Sequence, residues 1–376
     1  MPALPALARS FDVSFGVASL VVTLFLIGNL LGTIPSGWLI DRFGRRPVLI
    51  AGPLLAAAMG FLVAGAHSFP ELLVLRFING FAAQMWIMSR LAAISHGAAA
   101  SQRGRLVSWM FGMDGTGRLA GPVIGGLVAN EFGARVPFLV YASLALIALI
   151  PTVLFAKDTP RVRHDTVTST APAAKPSVRE IVIQRMPYFC VALFAGLTRG
   201  PLAADLLYLY AAFAYTLGPR PIGYLATSAS LISLPIGFLA GWMMDRFGRK
   251  RTMVPGFSGV AISMFALAFT AFLHLSLAWY VVLFLIGVAL QALTGGSVQT
   301  IGTDVAPPGA RGTFLGLWRF AGQGGQAISP LMFALIADQL NYGSAFLFTA
   351  LSATTVAYLM VRYIPETRTA ATAAVQ

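Results

Sequence analysis

The side chains able to do chemistry in this chain are few, and most of them stand in apolar surroundings. Asp114 and Arg118 lie one helical turn apart, the spacing at which a carboxylate and a guanidinium pair on a helix surface. Together they tolerate hydrocarbon at lower cost than either charge alone, and Asp114 is the best-placed proton carrier if the pair opens. A static structural pair is the other reading of that spacing. Arg76, Asn79 and Arg90 share one face of a helical stretch at about 100° per residue. An arginine at such depth needs a partner, a wet cavity or a route to the membrane edge. Arg319, Gln323 and Gln326 share a face of a later stretch, where Arg319 has no obvious partner. Trp86, Trp318, Tyr208 and Tyr210 add aromatic surface, for a cavity or simply for packing. Bond-making chemistry is not evident: there is no Gly-x-x-x-x-Gly-Lys-Ser/Thr phosphate loop, no zinc spacing among 4 His and 1 Cys, and no context for a Ser-His-Asp triad. These residues fit the movement of protons and small molecules, with no cofactor and no enzymatic step.

The elements that hold them are apolar helices. The chain is 57% hydrophobic and 10% charged, with a mean hydropathy of +0.78, too little charge to clothe a globular surface of this size. Nothing ionised lies between Asp12 and Asp41, Arg46 and Glu71, Arg135 and Lys157, Arg220 and Asp245, or Asp338 and Arg362. Each gap holds the roughly 20 apolar residues of a spanning helix, so the lipid bilayer is the first partner. A net charge of +13 would suggest nucleic acid in a soluble protein. Here the basic residues gather in alternate connections, around Arg42 to Arg46, Arg103, Lys157 to Arg185, Arg246 to Arg251, Arg311 and Arg362, whereas the intervening ones hold only Arg9, Arg135 and Arg220. That is the positive-inside pattern, which places the C-terminus in the cytoplasm of a multi-pass cell-membrane protein and excludes nucleic acid as the partner. Cys190 stands alone, so no disulfide framework is expected.

Spans are expected near 13–36, 47–66, 71–94, 106–129 and 136–156, then near 187–215, 221–242, 252–273, 277–300, 312–337 and 343–363. The resulting all-α membrane fold has about eleven helices in two bundles, 1–156 and 186–365, with a Pro- and Thr-rich cytoplasmic linker at 157–185 and a tail at 366–376. The halves repeat: GWLIDRFGRRP from Gly37 recurs as GWMMDRFGRKR from Gly241, and Arg103-Gly104 recurs as Arg311-Gly312. In the second half a full helix precedes this loop; in the first, little chain stands ahead of the matching position. A first helix is therefore expected to be missing from this sequence.

The repeated loop, Gly37, Asp41, Arg42, Gly44, Arg45 and Arg46 with its copy Gly241, Asp245, Arg246, Gly248, Arg249 and Lys250, resembles the signature of the major facilitator superfamily. The resemblance implies two pseudo-symmetric six-helix bundles, of which helices two to twelve are present. It also implies a cytoplasmic latch in which Asp41 meets the helix starting near Gly312, and Asp245 the one starting near Gly104. His96 stands where the second half has Asp304, which would make the first latch weaker or pH-sensitive. RFINGFAA from Arg76 is similar to the family's Arg-x-x-x-Gly pattern on the fourth helix. Gly117, Gly121, Pro122, Gly125 and Gly126 resemble the antiporter motif of the fifth, although Ser108 stands where the fuller pattern has a further glycine. Glycines at 117, 121 and 125 form a smooth stripe on which another backbone could pack. The resemblance implies a monomeric secondary transporter exporting small organic molecules against protons by alternating access. A proton-coupled symporter importing a sugar or organic acid stays open, as does a truncated membrane protein that does not transport. The excess of arginine over aspartate within the spans favours anionic or neutral substrates.

Overall fold

A computed structural model describes residues 2–97, 100–155, 178–203, 205–295, 298, 301–302, 305–307, 311–364 and 366. Among them are fourteen helices and no strand: α1 (Ala3–Arg9), α2 (Phe15–Phe43), α3 (Arg45–Gly65), α4 (Phe69–Gly97), α5 (Ala100–Phe132), α6 (Val136–Phe155), α7 (Val178–Gln184), α8 (Met186–Ala203), α9 (Leu206–Ala214), α10 (Pro219–Phe247), α11 (Arg249–Phe272), α12 (Leu277–Leu293), α13 (Arg311–Gln339) and α14 (Tyr342–Tyr363). Seven of them are long and apolar enough to cross a bilayer, and α8 with α9 adds an eighth if the bent pair counts as one span. Only helices satisfy every backbone group within one segment, so an apolar chain in lipid has little alternative. Ile34 and Phe238 are each 80% exposed, which suits contact with lipid tails and not with water.

Helix ends are set locally. Ser14 accepts from Val17 N–H at the start of α2, and Asn341 from Ser344 N–H at 2.8 Å at the start of α14. Before α4 the Ser68 hydroxyl accepts from Glu71 N–H, and the Glu71 carboxylate reaches back to His67 N–H at 3.0 Å, a variant of the capping box. One residue separates α2 from α3, and one separates α10 from α11. Both are glycines, Gly44 at φ 89° and Gly248 at φ 101°, in extended backbone of positive φ that is closed to other residues.

The repeat is repeated in the fold. An offset of 204 residues carries both ends of α2 onto both ends of α10, and Asp12 (φ 53°) onto Thr216 (φ 54°). It also carries α1 onto α9. α1 lies ahead of the first expected span, whereas α9 was expected only as the end of a longer one. The expected span 187–215 is likewise two helices, α8 and α9, bent by 42°. The chain turns at Asp205, whose φ is 59°; within α8, Pro201 lacks the N–H that would bond the Leu197 carbonyl, and the Ser329 hydroxyl of α13 donates to that carbonyl instead. The described end of the linker is helical too, as α7, whereas 156–177 lie outside the described residues.

Contacts divide the chain into two compact units, Met1–Thr168 with Ala211–Thr227, and Ser169–Tyr210 with Ser228–Gln376. The boundary differs from the sequence division at 211–227, because the end of α9 and the first turns of α10 pack on α1 and α5. In the first unit α4 packs on α2 and α3, and α6 on α3. Gly28 of α2 faces the Phe77 carbonyl, and Gly80 of α4 faces the Phe25 carbonyl, so these backbones meet with no side chain between them. In the second unit α13 packs on α8 in the same way, Gly325 against the Leu193 carbonyl. The second unit's core joins Phe257, Phe314, Trp318 and Met360, and Tyr210 packs among Tyr280, Tyr342 and Phe346.

Candidate functional site

The polar residues of the first unit fall into two groups. Arg76 and Asn79 are 5% and 3% exposed, closed in where α2, α3 and α4 meet. Arg76 Nε donates to the Val21 carbonyl at 3.4 Å, its guanidinium lies 4.6 Å from the Phe25 ring centre, and Asn79 Nδ2 donates to the Ala56 carbonyl at 3.4 Å. This cation is met by a backbone carbonyl, the Asn79 amide oxygen and an aromatic face, as a charge inside a membrane protein must be. Arg90 is the second group. Its Nη1 lies 3.2 Å from Asp114 Oδ1, with the side chains 28% and 35% exposed, and Trp86 sits 5.2 Å under the guanidinium. A guanidinium from α4 thus meets Asp114, while Arg118, one turn along α5, occupies an exposed position. Spacing within one helix favours the i,i+4 pair; packing of α4 on α5 offers Asp114 a guanidinium from its neighbour.

The glycine motif of α5 makes its tight contact off the expected stripe. A Cβ at Gly117 or Gly121 would meet nothing within 4 Å, and at Gly125 only Pro2, at 3.9 Å. At Gly126 it would meet the Pro219 carbonyl at 2.7 Å and Gly223 Cα at 3.0 Å; at Gly223, the Pro122 carbonyl at 2.6 Å. Pro122 and Gly126 are four residues apart, as are Pro219 and Gly223, so two i,i+4 rows lie face to face. Thr227 Oγ1 continues the row by donating to the Leu119 carbonyl at 3.1 Å. Nearby, Arg9 of α1 donates to the carbonyls of Ala212 and Leu217 at 3.3 and 2.9 Å.

The paired loops have the same local design. Arg42 lies over Trp38 and Phe43, at 5.1 and 5.7 Å, and Arg246 over Trp242 and Phe247, at 5.2 and 5.8 Å. Arg46 Nη2 donates to the Val153 carbonyl at 3.2 Å, and Lys250 Nζ to the Val361 carbonyl at 2.8 Å, tying each loop to the C-terminal end of its bundle's last helix. In the second copy the Glu366 carboxylate also accepts from Lys250 N–H and Arg251 N–H, at 3.3 and 3.2 Å, capping α11 directly under Gly248. Both copies of the aromatic clamp share the spacing Trp-x-x-x-Arg-Phe, while the carbonyl tethers join residues more than a hundred apart in the chain. Asp41 is exposed. Asp304 and the side chains of His96, Asp245, Arg311 and Gly312 lie outside the described residues.

The second unit holds a cavity of about 60 Å³ between α8 and α13, with Phe257 of α11 and Val298 at its walls. Arg199, Arg319, Gln323, Gln326 and Trp318 line it. The structure thus brings three expected residues together and adds Arg199. In sequence its signal is the apolar row Ala192, Ala195, Gly196, which at helical spacing puts Arg199 on the face turned to α13. No group of acidic, His or Cys side chains that could hold a metal occurs among the described residues.

The profile of the Major Facilitator Superfamily matches residues 1–330 and 188–375. The chain belongs to this superfamily. Across 346 residues it is 30% identical to "Tetracycline resistance protein, class B" of Escherichia coli, covering 89% of this chain and 83% of that one. It is 24% identical over 232 residues, 61% of this chain and 58% of the other, to "Quinolone resistance protein NorA" of Staphylococcus aureus. In fold it is similar to the inward-open xylose transporter XylE from E. coli, with a TM-score of 0.76 and 20% identity over 98% of this chain and 96% of that one. The facilitator fold accounts for both loop copies and for the paired helices around them. The chain is thus a multi-span membrane transporter of this superfamily.

Proposed function

We propose that this transporter exports small organic molecules in exchange for protons, by alternating access of its two bundles. The observation that carries the proposal is the Arg90–Asp114 pair: a partly exposed carboxylate in mid-helix, 3.2 Å from the guanidinium of Arg90. A pair of that exposure can open, release its hold on Asp114 and let the carboxylate take up a proton, which a fully buried pair resists. The likeness to tetracycline and quinolone resistance proteins supports export of organic cargo, and the basic loops support a cytoplasmic C-terminus. Arg118, on the exposed face of α5, tunes the charge around the pair.

The test is proton flux in proteoliposomes. A pH-sensitive dye is followed while a tetracycline, a quinolone and neutral and anionic compounds are added in turn. Collapse of the gradient by at least one compound, lost in Asp114→Asn and slowed in Arg90→Gln, is the expected result. Uptake coupled to proton entry would turn the reading to import; full activity of Asp114→Asn would remove Asp114 from the proton path.

A further inference from the structure

We propose that the cavity between α8 and α13 is an oxyanion site, which receives the carboxylate or phosphate head of an organic anion with an apolar body; the inference rests on the transport reading above and narrows its cargo. Two guanidinium groups, Arg199 and Arg319, line one small space, and neither has an ion pair or hydrogen bond with another described residue. Among the described residues, Arg76 is met by a carbonyl and a ring, and Arg90 by Asp114. An arginine left without a counter-charge at membrane depth is costly and marks a functional site. Two that line one small space can be relieved by one anion there, which the planar guanidinium fork meets with two parallel hydrogen bonds.

The remaining walls define the rest of the ligand. Gln323 and Gln326 add amide donors beside the arginines, while Trp318, Phe257, Ala192 and Ala195 supply flat, apolar surface. A cavity of about 60 Å³ holds an oxyanion head with a water or two, not a whole drug-sized body, for which pockets run to about 300–1,000 Å³. The apolar body would extend past Arg319, which is exposed at the mouth, whereas Arg199 is half-buried. An organic cation gains nothing from such a lining and meets two like charges.

The experiment uses the purified full chain in nanodiscs and four probes with one apolar body: 2-naphthoate, 2-naphthyl phosphate, 2-naphthylmethanol and 2-naphthylmethylammonium. Binding is read as quenching of tryptophan fluorescence, with Trp318→Phe identifying the signal of the cavity, and is confirmed by calorimetry. Saturable binding of one or both anions is expected, and the two anionic arms show whether the head is a carboxylate or a phosphate. Arg319→Gln, at an exposed position where folding is undemanding, should weaken anion binding about tenfold or more, as loss of a charge-assisted hydrogen bond does. Arg199→Gln should do the same, and Arg319→Lys should fall between. Equal binding of the ammonium probe, absence of anion binding, or anion binding unchanged in both glutamine variants would overturn the site. Dye-flux coupling with cationic cargo alongside no anion binding would sink this inference and leave the exporter reading intact; anion binding with no coupled flux would do the reverse.

Discussion

Ser329 of α13 donates its hydroxyl to the Leu197 carbonyl, the acceptor that Pro201 deprives of its helical partner. Ser329 is 0% exposed, so water does not replace the bond. Ser329→Ala therefore leaves a part-buried carbonyl without this partner, at a cost of about 1 kcal/mol or more. The same change in a Pro201→Ala background should cost much less, because the substituted alanine brings an N–H for the Leu197 carbonyl. The coupling between the two sites in a double-mutant cycle is then about 1 kcal/mol or more, outside the additivity of independent positions. Reversible unfolding in mixed micelles measures all four proteins. An identical Ser329→Ala cost in both backgrounds would show that the hydroxyl does not substitute for the missing N–H.

Three further outcomes are expected. Gly126→Ala and Gly223→Ala each press a methyl into a carbonyl within 2.7 Å and should destabilise by about 1–3 kcal/mol, whereas Gly121→Ala, facing open space, should be neutral or stabilising in thermal unfolding. Gly248→Ala should be worse than Gly44→Ala, since both meet the same backbone strain of about 1–3 kcal/mol but only Gly248 has Glu366 against it, at 2.6 Å. Lys250→Met should raise amide hydrogen exchange in the last turn of α14, through loss of the 2.8 Å bond to Val361, while Lys250→Arg preserves protection.

What could be read from the chain alone was whatever depends on short spacing. Runs without charge located the long helices, and the two DRFG loops implied the matched Gly44 and Gly248 turns. Three things escaped. The break between α8 and α9 turns on the positive φ of Asp205, which the run of residues around it does not announce. Arg90, 24 residues from Asp114, comes beside it only once α4 packs on α5, which spacing along one helix does not reveal. Glycines 117, 121 and 125 were the more regular row, yet close approach fell to Gly126, because the partner helix presents Pro219 and Gly223 at that angle. The cavity was half legible: Arg319, Gln323 and Gln326 share a helical face, but Arg199 joins them only through the packing of α8 on α13.

Glu366 gives the second bundle a dependence on time that the first does not share in the same form. During synthesis the chain emerges from its N-terminal end, and the tether from Arg46 to Val153 can close while the whole second bundle is still being made. The cap on α11 needs Glu366, which follows Lys250 by 116 residues and comes after α14 in the chain. Until then α11 begins with free N–H groups beside four basic residues, Arg246, Arg249, Lys250 and Arg251, and no carboxylate from beyond α14 to settle them. The segment that closes the bundle is thus made after every helix it closes upon, and a ribosome stalled within α14 would leave behind an inserted but unlatched protein.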